Sequence, residues 1–286
     1  MTSSNTPDGP SESDGERVSE ASESNGANAE RASGATESNG ERADETDRSR
    51  GSELGPYEAV TAYPEGEATA DRHALTAAEA GYDGIVVRTR TDADLGAIRD
   101  RRGIDVVNAV EIDASDPASA SGAVGNYRPD HTVLAVRGGS AELVRFAVEQ
   151  SRVDVLTTPF AGDGDVNHVI VERAAANDVR VEVNLRPVVR SAGGERVRAL
   201  RKLRKLRELL AHADAPFVVS ARPSSHLALR APRELAAVGE AIGFTAEQIR
   251  TGLREWGRLA RRNRERRSES FISPGVRRGR YEEDDQ

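Results

Sequence analysis

From Tyr57 to about Arg267 the chain alternates short β-branched runs with stretches whose apolar residues recur every three or four positions. Few architectures accommodate that alternation. Strands are expected at 58–63, 84–89, 105–112, 132–136, 153–157, 179–185 and 217–220, and helices near 71–80, 92–102, 140–150, 166–177, 194–212, 232–242 and 246–267. Strands that alternate with helices make βαβ units and a parallel sheet. Most of these strands are apolar on both faces, as parallel strands covered by helices must be. Seven strands in about 210 residues is near the lower size limit of a (β/α) barrel. The expected fold is therefore α/β, a TIM-like (β/α) barrel of about seven parallel strands with one position of the ideal eight missing. An open doubly wound sheet is the alternative, and it lacks a glycine fingerprint after the first strand. Residues 116–130 read as an irregular or weakly helical crossover.

The ends differ from this body. Residues 1–54 hold thirteen Asp plus Glu against five Arg and almost no large aliphatic side chains. A segment so poor in apolar surface cannot offset its ordering entropy, so a disordered acidic arm is expected there. The barrel domain should span 55–268, and residues 269–286 read as a tail that is first basic, then acidic. The last long helix is rich in arginine from Arg258 to Arg267, and beyond Ala260 its apolar support fades. This end is expected to be a mobile basic extension that grips RNA or folds back on the acidic tail.

The stretch with the strongest chemical character is NLRPVVRSAGGERVRALRKLRKLRELL, residues 184–210. Val197, Leu200, Leu203, Leu206 and Leu210 fall along one helical stripe that faces a core. The other faces carry Arg196, Arg198, Arg201, Lys202, Arg204, Lys205 and Arg207, offset only by Glu195 and Glu208. Like charges so close repel one another, and an anionic partner removes that cost; a solvated charged rim is the plainer alternative. Upstream, Arg186 and Arg190 sit in the loop leaving a strand, and Gly193 and Gly194 let backbone N–H groups approach a phosphate at a helix N-terminus. Arg222, at the end of the last strand, should face the same barrel mouth, either as a phosphate contact or in an ion pair with a neighbouring carboxylate.

Of 40 basic residues only Lys202 and Lys205 are lysine. Scarce Lys with abundant Asp and Glu points to a cell that keeps molar salt in its cytoplasm, although a GC-rich genome also favours Arg. At about 1 M salt the Debye length is roughly 3 Å, so nucleic-acid binding there rests on direct contacts, which the planar fork of Arg makes well.

Little here points to a catalyst. The chain has no cysteine, which excludes disulfides and thiolate chemistry. Its five histidines, His73, His131, His168, His212 and His226, show no HxH or HxxxH spacing. The run from Gly162 to His168 opens like a calcium loop but has His168 where the required glycine should stand. Ser220, Ser224 and Ser225 lie near His226 without a GxSxG elbow. No apolar run approaches the roughly 20 residues of a membrane span, and the N-terminus lacks a signal-peptide pattern, which reads as cytoplasmic with no membrane partner.

The runs EVNLRPVVRSAGGERVRALRKLRKLRELL at 182–210 and VVSARPSSHLALRAPRELAAVGEAIGF at 218–244 resemble the archaeal ribonuclease P protein component 3 family. The resemblance implies a barrel related to phosphoesterases of the polymerase and histidinol phosphatase type, and a subunit of the ribonucleoprotein that removes 5′ leaders from precursor tRNA. It implies that the RNA subunit, with its magnesium ions, performs the cleavage, and that this chain works beside a second small protein subunit and meets precursor tRNA indirectly. No catalytic residue, metal ligand or cofactor of its own is expected. Where the phosphoesterases carry His-x-His after the first strand, this sequence has Thr61-Ala-Tyr-Pro-Glu-Gly66. The candidate contacts to RNA, or to an acidic protein partner, are Arg186, Arg190, Arg198, Arg201, Lys202, Arg204, Lys205 and Arg222. The competing functions are a metal-dependent phosphoesterase using the barrel mouth and an interaction protein docking only on another protein.

Overall fold

The computed structural model describes residues 54–268, together with the backbone of 271–273 and 276–277. The acidic arm and nearly all of the tail expected from the sequence lie outside the described residues. Seven strands, β1 (Tyr57–Val60), β2 (Gly84–Val87), β3 (Asp105–Ile112), β4 (Val133–Arg137), β5 (Val155–Thr157), β6 (Arg180–Asn184) and β7 (Phe217–Ser220), form one sheet in sequential order. Every pair within it is parallel. The connections are α1 (Ala70–Glu79), α2 (Leu95–Arg102), α3 (Pro117–Tyr127), α4 (Ala141–Glu149), α5 (His168–Ala176), the short α6 (Arg186–Arg190) and α7 (Gly193–His212), with α8 (Pro232–Ile242) and α9 (Ala246–Arg266) after β7.

Strand β3 shows how the sheet curls. Its first half, Asp105 to Asn108, pairs with β2, and its second half, Ala109 to Ile112, pairs with β4. That stagger tilts the strands against the barrel axis, as closure requires. Alternate side chains then separate into two apolar sets. One set, including Val60, Ile85, Val106, Leu134, Leu156 and Val183, joins the buried faces of the helices. The other, including Ala59, Val86, Val107, Val133, Val155 and Val218, packs against Trp256, Leu259 and Ala260 of α9.

No ladder joins β1 to β7, and α9 lodges along that seam. Two glycines allow the close approach: a Cβ on Gly252 would lie 2.5 Å from Val219 Cγ2, and one on Gly257 2.6 Å from the Tyr57 ring. The indole Nε1 of Trp256 donates to the Val219 carbonyl at 2.9 Å, satisfying a backbone acceptor beside the seam. The eighth strand position is thus taken by a helix, which is the distortion the seven-strand count implied.

Three local expectations need correction. Residues 117–127 form a regular helix, started by Asp116, whose carboxylate accepts from Ser119 N at 2.9 Å, and by Pro117 in the first turn. Residues 186–190, expected as loop, make the single turn of α6. The basic end of α9 is no mobile extension as far as Arg266. Arg264 makes paired bonds to Asp105 at 2.7 and 2.9 Å, and Arg262 reaches Asp154 at 2.9 Å and also bonds Asp178. Asn263 donates to Asp154 at 2.8 Å. These cations hold α9 to the N-terminal rim of the barrel.

Candidate nucleic-acid interface

Two arrangements occupy the carboxyl rim of the sheet, one buried and one exposed. The buried one fills the mouth. Arg88, just past β2, reaches Glu111 of β3 at 2.9 Å and Glu182 of β6 at 2.7 Å, and Arg222 reaches the other oxygen of Glu111 at 2.6 Å. The side chains of Arg88, Glu111 and Glu182 are 4%, 8% and 0% exposed. Burial would strip the Arg88 charge, but the carboxylates of Glu182 and Glu111 outweigh it and hold the guanidinium protonated more firmly than in water. Burial likewise opposes the Glu111 carboxylate, and Arg88 and Arg222 overcome it, leaving its pKa below the usual carboxylate range. Two guanidiniums and two carboxylates make a neutral cluster, and the Arg88 guanidinium lies 5.6 Å from the Trp256 ring centroid.

Beside this cluster, Glu58 closes the seam between β1 and β7. Its carboxylate accepts from Ser220 Oγ at 2.6 Å and from the N–H groups of Ala59 and Ala221, both at 3.1 Å. It therefore satisfies donors that a missing ladder would leave bare. Burial pushes its pKa up to about 7 despite these bonds and Arg88. The buried His73 ring, on α1, is pushed the other way, down to about 4, chiefly by burial, with His226 adding and the backbone of Thr61 and Ser224 opposing.

These two shifts predict a pH profile. Glu58, with a folded pKa above the ordinary value of 4.5, contributes stability below that value and loses it as pH rises through about 7. His73, with a folded pKa below 6.5, contributes above that value and loses its contribution as pH falls towards 4. The ramps oppose one another, so parent stability should change little between pH 4.5 and 6.5 on their account. In Glu58→Gln the His73 ramp stands alone, and the denaturant-derived unfolding free energy should climb over that window by up to roughly 3 kcal/mol. A variant profile parallel to the parent's would refute the Glu58 assignment, and a flat variant profile would refute the His73 one.

The exposed arrangement is the cationic face of α6 and α7. Leu203, Leu206 and Leu210 of the expected stripe are buried, whereas Leu200 is half-buried and Val197 is 48% exposed, so the first turns of α7 stand away from the core. Arg190, Arg198 and Arg201 are exposed and make no ion pair with any described residue. The other expected contacts are partly engaged. Lys202 donates to the Phe160 carbonyl at 3.2 Å, Arg204 to the Ala241 carbonyl at 3.3 Å, and Lys205 pairs with Asp165 at 2.9 Å. Arg186 leans across to the Arg222 carbonyl at 2.7 Å. Arg222 takes the ion-paired alternative: its backbone sits at φ 47° and its guanidinium points into the mouth at Glu111. The sequence reasoning missed Arg88, Glu111, Glu182 and Glu58, whose signal was a charge inside or at the end of an otherwise apolar strand.

With this geometry in view, similarity to known proteins is informative. The family described as RNase P subunit p30 matches residues 56–268, the entire barrel. Ribonuclease P protein component 3 of Halorubrum lacusprofundi is 60% identical over 239 residues, covering 80% of this chain and 99% of that protein. The protein of the same description from Haloarcula marismortui is 57% identical over 225 residues, covering 77% and 96%. Among solved structures, a chain from the cryo-EM structure of archaeal ribonuclease P with mature tRNA superposes with a TM-score of 0.68 at 20% identity, covering 80% of this chain and all of that one. At that identity the likeness is one of fold. A match running from before β1 to the end of α9, with relatives from halophilic archaea aligned nearly end to end, bears out the resemblance carried by residues 182–210 and 218–244: the chain belongs to the RNase P subunit p30 family.

Proposed function

We propose that this chain is the protein component 3 subunit of a cytoplasmic ribonuclease P, the ribonucleoprotein that cleaves the 5′ leader from precursor tRNA, and that the cationic face of α6 and α7 is where it holds RNA. The observation that carries the placement is the contrast between neutralised and spare arginines. Arg88, Arg222, Arg262 and Arg264 are neutralised by carboxylates within the fold, whereas Arg190 of α6 and Arg198 and Arg201 of α7 are exposed and make no ion pair with any described residue. Guanidiniums left free in this way offer forked donors to phosphate oxygens. Helix α7 also begins at Gly193 and Gly194 with no side-chain cap, so no capping side chain takes its first N–H groups. Bond cleavage, with its magnesium ions, is assigned to the RNA subunit, and a second small protein subunit is the expected neighbour. Among the described residues no helix is long and apolar enough to cross a membrane.

A metal-dependent phosphoesterase would need mouth carboxylates available to cations. Here Glu111 and Glu182 already face Arg88 and Arg222, whose charge would repel an incoming divalent ion. Phosphate-ester turnover by the purified chain without RNA would reverse this reading.

Replacing Arg198, Arg201, Lys202, Arg204 and Lys205 together by alanine tests the RNA face, since none of the five is buried. For every phosphate that the variant no longer neutralises, the plot of log affinity against log salt should flatten by about 0.7 to 0.9. Processing of tRNA 5′ ends by the reconstituted holoenzyme should fall by about tenfold or more. A folded variant that reconstitutes processing as well as the parent would refute the placement.

A further inference from the structure

Between the mouth and the first turns of α7 lies a cavity of about 390 Å³. It is at the lower end of the roughly 300–1,000 Å³ that small-ligand pockets span. Glu182 and Thr158 are among the residues that line it, and each has a buried polar atom without a hydrogen-bond partner among the described residues, the Oε2 of Glu182 and the hydroxyl of Thr158. Arg88 takes the other oxygen of Glu182 at 2.7 Å, which fixes the carboxylate and leaves Oε2 free. Thr158 stands at φ 42°, a conformation that costs a β-branched residue free energy and that a functional site commonly retains. At the rim Arg137, Arg198 and Lys202 outnumber Glu195.

An unmet carboxylate oxygen on a charge-paired, buried Glu asks for a donor. A cationic side chain from a partner protein would supply one, but it would have to pass three cations. A neutral amine on a group that also carries phosphate satisfies both the floor and the rim. We propose that this cavity receives an unpaired nucleobase of the bound RNA, one bearing an exocyclic amine (cytosine, adenine or guanine), with the amine on Glu182 and the flanking phosphates on Arg198 and Lys202. Uracil is disfavoured, since the only N–H on its pairing edge lies between two carbonyl oxygens that the carboxylate repels. The proposal rests on the RNA-binding role given above and adds base selectivity to it.

The test uses the full chain in molar potassium chloride and single-stranded oligouridylates that differ at one central position: cytidine, adenosine, guanosine, uridine or an abasic site. The amine-bearing probes should bind about tenfold tighter than the uridine and abasic ones. Ala199→Phe, which fills the cavity from α7 without touching the Arg88 cluster, should bring all five to the abasic level. Glu182→Gln should shrink the preference, and circular dichroism and melting of both variants would show that they fold. Equal binding of abasic and amine-bearing probes, with Arg198→Ala still weakening both, would leave the phosphate face standing and overturn the base pocket. No binding of any probe would overturn both. Free cytidine, adenosine or guanosine monophosphate binding as tightly as the oligonucleotides would overturn the assignment to RNA.

Discussion

Arg88→Met should destabilise the protein by about 3–5 kcal/mol, the cost of removing one partner from a buried ion cluster. The substitution preserves much of the side chain's length, so packing changes little and the loss is electrostatic. In the parent, Arg88 neutralises Glu182 at 2.7 Å and shares Glu111 with Arg222. Without it, Glu111 keeps one guanidinium and Glu182, 0% exposed, keeps none. Adding Glu182→Gln should therefore restore more than half of the loss, because the amide removes the stranded charge. Adding Glu111→Gln to Arg88→Met should restore less, since that change deprives Arg222 of its carboxylate. Guanidinium chloride would change the ionic strength as it is titrated, so urea unfolding at fixed potassium chloride is the measurement. A single-variant loss under about 1 kcal/mol would mean that the charge balance of the cluster does not depend on Arg88.

This cluster marks the limit of what the sequence disclosed. The strands were legible because a parallel strand covered on both sides reads as a β-branched run; β3 and β7 have the expected bounds. The helices with a wide apolar stripe were legible for the same reason. Helix α3 was not: the run PASASGAVGNY buries only Ala120 and Val124, so it carries almost no periodic signal, and its start is marked by Asp116 and Pro117 alone. The mouth was hidden for a different cause. Arg88, Glu111, Glu182 and Arg222 come from four elements, with bonded partners as far as 111 positions apart along the chain, and only closure of the sheet unites them. Local pattern shows a charge at a strand end; it does not show the opposite charge that waits there. The cationic stripe of α7 was legible because charge on a helix surface is a local property. Which of its cations are spare is a tertiary one, decided by Phe160, Asp165 and Ala241 reaching Lys202, Lys205 and Arg204.

Helix α9 raises the same difficulty and leads to the other large effect. Its sequence pattern announces an amphipathic helix, but nothing in that pattern says that the apolar face meets the inside of the barrel. Trp256, 1% exposed, joins Leu259 and Ala260 against the inward residues of the strands, and its indole N–H serves the Val219 carbonyl. Trp256→Ala should cost about 3–5 kcal/mol through the lost burial and the cavity left behind, a large share of the roughly 5–15 kcal/mol that typically holds a domain folded. Trp256→Phe keeps most of the ring and drops the donor, so it should cost about 1–2 kcal/mol. The difference between the two variants separates packing from the hydrogen bond. The alanine variant should also weaken the mouth, since Arg88 loses the ring beneath its guanidinium. Combining Trp256→Ala with Arg88→Met should then cost less than the sum of the two, a coupling that neighbours in one cluster show and distant sites do not. Strict additivity would mean that the seam helix and the ion cluster are independent, and that α9 covers the gap between β1 and β7 without organising the rim where RNA is proposed to bind.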